Sequence, residues 1–276
     1  MAVITLLNQK GGVGKTSTCH HLAGTLAQLG RRVLLVDNDP QSSLTQGLWG
    51  PAAARALDPA ETLAAVYSGD VFPEQVIRPS GVSGVDLVAG SWAVNDWNLP
   101  RPFEASYEAQ TCLRSFLATV SGSYDLVLID CPPNLCLCSW AALVASDALI
   151  VPLQAEDYGA QGIMDVQDSV AMVTAGPNPD LRLLGYLITM YSARKTVHRM
   201  YEQRLRDLYG ADVFTAMVPH AADYPEAIAY RKPVSLYKPR GVAAKAIRAL
   251  ADEMTARLVH GAPAPKEDLC WVRSKI

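Results

Sequence analysis

Apolar residues along this chain fall into two rhythms. Short, nearly unbroken runs at Val3–Leu7, Val33–Val36, Val85–Val88, Leu126–Ile129, Ala148–Val151 and Leu183–Met190 have the length and branched content of strands buried on both faces. Another strand is expected near Val213–Val218. Between these runs, apolar positions recur every three or four residues, which predicts helices over Thr16–Leu29, Glu104–Val120, Leu137–Ala145, Gln161–Val173, Val197–Tyr209 and Ala243–Leu258. In the first helix Cys19, Leu22, Ala23, Leu26 and Leu29 form the inward stripe. The stretch from Gly47 to Pro102 is the least regular, with Ala60–Tyr67 its best helix; Trp92 and Trp97 flank a polar turn there, open to a lid or a packing role. After Gly261, the run Ala262-Pro263-Ala264-Pro265 ends the last helix.

Strand and helix alternate from start to finish. That pattern predicts one α/β domain over residues 1–260, built on a mainly parallel twisted sheet with helices on both faces, and a tail over 261–276. About half of the 276 residues are apolar, enough for one large core. No apolar run approaches the roughly 20 residues needed to cross a bilayer. The first strand begins at the second residue, so no signal peptide is expected before it.

Six cysteines are scattered through the chain, which favours reduced thiols over a disulfide scaffold. Cys131, Cys136 and Cys138 cluster, but their C-x4-C-x-C spacing lacks the C-x-x-C unit of common zinc sites. A structural role at a buried helix start is the expectation.

Charge is distributed unevenly. Residues 1–181 carry 8 basic and 18 acidic side chains, whereas residues 182–248 carry 12 basic and 5 acidic. A segment that basic within a chain of net charge −3 is a candidate polyanion-binding face.

The strongest chemical signal is Lys10-Gly11-Gly12-Val13-Gly14-Lys15-Thr16, which follows the first strand and opens the first helix. Small residues let successive backbone N–H groups, through Ser17, close around a phosphate, and the helix N-terminus adds positive potential. Lys15 is placed for the β- and γ-phosphates and Thr16 for Mg²⁺. Asp37 and Asp39 leave the end of the second strand beside this loop, and Asp130 ends a strongly apolar strand. Ligands of open α/β sheets bind at such carboxyl ends. A carboxylate buried there costs several kcal/mol without a partner, so a nearby cation is expected at Asp130.

With Lys10 included, the loop resembles the deviant Walker A motif of the ParA/MinD superfamily. Asp37-Asn38-Asp39-Pro40-Gln41 is similar to that family's D-x-D-P-Q segment, and Leu126–Asp130 to its Walker B strand. The likeness continues through Val151-Pro152-Leu153-Gln154, Leu187–Tyr191, Val218-Pro219, Glu226-Ala227 and Lys232-Pro233, and it is strongest to the short ParA/Soj-type partition ATPases. The resemblance implies a P-loop ATPase that uses ATP and Mg²⁺, with Asp39 positioning water, Asp37 a metal-shell or structural partner, and Lys10 reaching the partner subunit's phosphates in an ATP-dependent homodimer. The adenine is then expected near Pro219, His220 and Ala221, although the family's P-R-N is absent there.

The same resemblance implies nonspecific binding of double-stranded DNA by the ATP-bound dimer, release through a ParB-like ATPase-stimulating protein, and a cytoplasmic, nucleoid-associated location. Arg194 matches one DNA-binding arginine of the family. A second cluster is replaced by Pro219-His220-Ala221-Ala222-Asp223, leaving Lys195, Arg199, Arg231, Lys232, Lys238 and Arg240 to compensate. An orphan ATPase positioning another cargo is the alternative. A MinD-like membrane-recruited regulator is a further one, resting on Leu269, Trp271, Val272 and Ile276 in a tail too short for stable anchoring.

Overall fold

The computed structural model describes residues 1–69, 71–155 and 160–260. The tail over 261–276, on which the membrane alternative rests, lies outside the described residues. Seven strands form one sheet: β1 (Ala2–Leu6), β2 (Val33–Asp37), β3 (Ile77–Val82), β4 (Val85–Val88), β5 (Leu126–Asp130), β6 (Ala148–Gln154) and β7 (Arg182–Thr189). Their order is β3-β4-β2-β5-β1-β6-β7, parallel throughout except for β3, which runs antiparallel to β4.

The helices of the first part of the chain are α1 (Lys15–Gln28), α2 (Ser43–Trp49), α3 (Pro51–Arg55), α4 (Leu63–Ser68), α5 (Pro73–Val76) and α6 (Tyr107–Thr119). Those that follow are α7 (Leu137–Ala145), α8 (Ala160–Thr174), α9 (Thr196–Tyr209), α10 (Asp223–Ala229), α11 (Val234–Tyr237) and α12 (Val242–His260). None of these helices is long and apolar enough to cross a membrane.

Strand alternation divides the core into two layers. Val3, Leu34, Val36, Val127, Ile129, Leu149 and Val151 face the side covered by α4, α6, α7 and α8. Their neighbours Ile4, Leu6, Val33, Leu35, Leu126, Leu128 and Ile150 face α1, α2 and α12, with α10 and α11 alongside. Burial on both faces is why these strands read as unbroken apolar runs.

Three sequence expectations need correction. Val213–Val218 is not a strand and makes only isolated bridges, Tyr186 to Val213 and Tyr191 to Pro219. The Glu253 carboxylate on α12 takes the Thr215 and Ala216 amides at 2.9 and 2.7 Å, so they are withheld from a ladder. The helix expected from Glu104 begins at Tyr107, because the Ser106 hydroxyl accepts the Ala109 amide and Pro102–Glu104 forms a separate turn. Strand β3 was unforeseen because Pro79 and Gly81 break its pattern, which an edge strand tolerates.

Two histidines of α1, His20 and His21, are buried against the α10–α11 segment. The His21 Nδ1 accepts the Val234 amide at 3.0 Å, and its ring packs 5.1 Å from that of Tyr224. Burial pushes the His20 imidazole down to about 4, and burial with the neighbouring His20 holds His21 well below its usual value. Because the unfolded chain takes up these protons first, the stability they contribute is complete above about pH 6.5 and is lost as pH falls. For His20 the loss reaches about 3 kcal/mol near pH 4. Urea unfolding between pH 7 and 4 is expected to show a shallower acid loss in His20→Leu than in the parent; equal slopes would overturn this account.

Candidate active site

Strand β1 lies between β5 and β6, and the chain leaves it to reach β2 on the far side of β5. That change of direction opens a crevice at the carboxyl ends. The pairing sets Leu6 level with Asp130, and Asp130 level with Asp37. The loop after β1 therefore meets the ends of β2 and β5 at one height.

The loop is held from within and from behind. The Asn8 side chain donates to Pro152 O at 2.7 Å and accepts the Lys10 amide at 2.9 Å. Lys15 Nζ donates to Asn8 O and Lys10 O, both at 3.0 Å, so its ammonium bridges the two sides of the loop. The Thr189 hydroxyl on β7 donates to Val13 O at 2.9 Å, with Leu153 O at 3.2 Å. Gly12 and Gly14 have φ of 78° and 85°, the left-handed backbone that a tight cradle before α1 needs. A Cβ added at Gly11 or Gly12 would meet nothing within 4 Å, so the cradle opens outward there.

Helix α1 starts at Lys15 with no acidic residue in its first turn and no side-chain cap. Its first amides, from Lys15 to Ser17, thus face the cradle without an intrahelical acceptor. Lys15 is buried, and desolvation lowers its pKa while the Asp130 carboxylate opposes the shift. Lys10 is exposed at the rim. One loop therefore carries two lysines in opposite environments.

The three carboxylates differ as sharply. Asp37 is fully buried, and its Oδ2 accepts both the Thr45 amide at 2.7 Å and the Thr45 hydroxyl at 2.6 Å. Gly90 N donates to the same hydroxyl at 2.9 Å, and a Cβ at Gly90 would stand 2.8 Å from Asp37 Cγ. Asp37 is thus tied to α2, with Oδ1 left unpartnered. Burial raises its pKa to about 7, the Thr45 bonds opposing and the Asp39 charge adding. Asp39 lies past the strand end, where its Oδ1 accepts the Gln41 amide at 2.9 Å.

Asp130 is fully buried, and neither oxygen has a hydrogen-bond partner. Burial, then the Asp37 charge, pushes its pKa well up; the nearby Thr16 hydroxyl opposes this. An orphaned acid beside a threonine, a buried lysine and an open cradle fits a cation held between Thr16 and Asp130, with Asp39 and the free oxygen of Asp37 nearby. Cys131 and Cys138 are buried thiols, Cys136 caps α7, and no cluster among the described residues could hold a metal through histidine, cysteine and acids.

The expected base-binding segment does reach the same end of the sheet. Tyr191 N donates to Val218 O at 3.0 Å and His220 N to Tyr191 O at 2.9 Å, which ties Pro219, His220 and Ala221 to the end of β7. The candidate DNA-binding residues fall in two groups flanking this segment. Arg194, Lys195 and Arg199 lie exposed at the start of α9, where Arg199 donates to Ala193 O and the Thr196 hydroxyl. Arg231, Lys232 and Arg240 are exposed around α11 and form no ion pair among the described residues. Lys238 differs from the expectation: its ammonium lies 2.7 Å from Asp223 and 2.9 Å from Glu226, so its charge is neutralised locally.

Sequence reasoning missed Asn8, Thr45, Gly90, Asn38 and Thr189 as parts of this site. Thr45, Gly90 and Thr189 reach the acids or the loop from distant segments, Gly90 through the Thr45 hydroxyl, and no spacing signals them; Asn38 adjoins the acids, but its side chain is bonded to α4 and α7. Asn8 alone carried a cue, a polar residue at the end of an apolar strand.

A family profile described as an AAA domain matches residues 1–183. The chain is 39% identical to the chromosome-partitioning ATPase Soj of Thermus thermophilus, over 92% of this chain and 96% of that protein. It is 33% identical to the sporulation initiation inhibitor protein Soj of Bacillus subtilis, over 92% of this chain and 98% of that one. Among solved structures, cobyrinic acid a,c-diamide synthase from Mycobacterium smegmatis with bound ADP and magnesium superposes with a TM-score of 0.80 and 29% identity, covering 96% of this chain and all of that one.

The orphaned carboxyl of Asp130 destabilises the protein without ligand. Asp130→Ala is expected to raise nucleotide-free stability by about 1 kcal/mol while lowering Mg²⁺-dependent hydrolysis about a hundredfold. Denaturant unfolding and phosphate release check the two halves; a clear loss of stability would show that Asp130 supports the fold instead.

Proposed function

This chain belongs to the ParA/MinD superfamily, close to its Soj-type partition ATPases, and on that footing we propose that it is an ATP-driven dimerising switch for DNA partitioning. The chain hydrolyses ATP with Mg²⁺. The observation that carries the reading further is the pair of lysines on one loop. Lys15 is buried against two loop carbonyls and serves its own phosphates, whereas Lys10 stands exposed at the rim. A cation at that rim suits the phosphates of a second copy, which makes charge delivery in trans conditional on dimerisation.

In this reading the cradle amides and Lys15 bind the phosphates, with Pro219, His220 and Ala221 beside the base. Asp39 orients the attacking water, and Lys10 from the partner offsets charge developing in the transition state. Thr16 and Asp130, with Asp37 and Asp39 nearby, would hold Mg²⁺, which would supply charge neutralisation to the phosphates. The dimer brings two copies of Arg194, Lys195, Arg199, Arg231, Lys232 and Arg240 onto one duplex. Lys238, held by Asp223 and Glu226, adds little to that face. A ParB-like partner then stimulates hydrolysis, and the dimer leaves the nucleoid.

Asp39→Ala is expected to accumulate as ATP-bound dimers with hydrolysis lost, and Lys10→Ala to stay monomeric with a slowly hydrolysed ATP analogue; sizing with phosphate release checks both. A monomer that turns over at the parent's rate overturns the reading. Arg194→Ala should retain ATP affinity and lower the log–log salt slope of DNA binding by about 2 per dimer, one phosphate contact per subunit. An unchanged slope would place the DNA face elsewhere.

A further inference from the structure

Asn38 stands between the two acids of the β2 end, and the mechanism above gives it no part. It is fully buried in the layer formed by α4, α6 and α7, where an apolar side chain would pack without any polar cost. Instead, its backbone amide and both polar atoms of its side chain are engaged. Its amide N–H donates to Asp130 O at 2.9 Å, extending the β2–β5 pairing by one bond. Its Nδ2 donates to Cys138 O in the first turn of α7 at 2.7 Å, and its Oδ1 accepts the Tyr67 hydroxyl of α4 at 2.8 Å. The Cys138 amide is in turn held by Asn98 Oδ1 at 3.3 Å, and the Leu137 amide by Leu99 O at 2.9 Å.

The consequence falls on the next residue. Asp39 lies beyond the last strand residue, where no ladder fixes the backbone, and its own side-chain bond goes only two residues on, to Gln41. The peptide that carries it is fixed on one side by Asp37 through Thr45 and on the other by Asn38 through Tyr67 and α7. We propose that Asn38 is a positioning residue for ATP hydrolysis, clamping the Asn38–Asp39 peptide so that the Asp39 carboxylate is aimed at the water site. The inference rests on the role given to Asp39 above. It assigns Tyr67 and the first turn of α7 as the anchors of the clamp, and it leaves nucleotide binding to the loop on the other side of β5.

The test separates positioning from mere support of the fold. Asn38→Leu is expected to lower kcat about tenfold or more, with KM for ATP and dimer formation with a slowly hydrolysed analogue kept within about twofold. That variant orphans the Tyr67 hydroxyl, so Asn38→Leu with Tyr67→Phe removes both partners and should recover melting temperature. In the double variant kcat stays low. Recovery of kcat together with melting temperature, or parental kcat in Asn38→Leu, overturns the proposal; should the single variant fail to fold, the double variant carries the comparison alone. In an Asp39→Ala background, Asn38→Leu should have no further effect on residual hydrolysis, since the two act as one unit. Parental turnover in Asp39→Ala would instead defeat the role of Asp39 itself, so the two failures are distinguishable.

Discussion

Three strand ends at one height bring Asp37, Asp130 and the loop holding Lys15 into a dry crevice, and that juxtaposition governs the site. Burial raises both acids toward their neutral forms and lowers the lysine, so each ionised form is disfavoured in the protein alone. One acid has a local remedy: the Thr45 amide and hydroxyl bind Asp37 to α2, and the Gly90 amide holds that hydroxyl in turn. Asp130 has none. Its unpartnered oxygens leave the protein alone less satisfied there, and under the proposed function a bound cation would restore the balance. Affinity for MgATP and cost to the empty fold are thus two faces of one arrangement.

Parts of this arrangement are legible in the sequence because they are local. The glycine loop, the stripe of α1 and the apolar strands depend on spacing within a few residues, and the observed α7 and β4 coincide with their expected limits. Other parts are not local. Val213–Val218 has the composition of a strand, yet Glu253 from α12 captures its amides. Thr45, Gly90 and Thr189 act on the site through hydrogen bonds across the fold, which no periodicity reveals. The neutralisation of Lys238 is of the same kind, since Asp223 lies 15 residues away and only the fold brings them together.

That ion pair also changes how the basic segment is understood. Counting charges along the chain treats each lysine as available to a phosphate, but a half-exposed ammonium bonded to two carboxylates releases few counterions on binding DNA. The remaining basic residues lie on both sides of the Val218–His220 segment, so under the proposed function DNA affinity would depend on two subunits pooling modest patches. A monomer with a weak face and a dimer with twice its charge differ steeply in nonspecific binding, because each added phosphate contact multiplies the affinity. Under the proposed function, weak contacts per subunit would therefore sharpen the switch.

Clamping and switching place opposite demands on the residues around Asp39. Under the proposed function, a water-positioning carboxylate must be held closely once a dimer has formed, and a switch triggered by dimerisation needs that aim to be incomplete beforehand. Asn38 reconciles the two, because its anchors lie on α4 and α7 rather than in the phosphate loop. The first turn of α7 is itself bonded to Asn98 and Leu99. Leu99 and the nearby Phe103 and Tyr107 are exposed apolar side chains on that same stretch. Asn38 thus links that stretch, through the first turn of α7, to the peptide bearing Asp39, while Lys15 and the cradle are bonded within the loop and to β6 and β7. Under the proposed function, binding and hydrolysis are thereby separable in this fold: the loop on one side of β5 binds the phosphates, and on the other side Asn38 aims the acid that orients the attacking water.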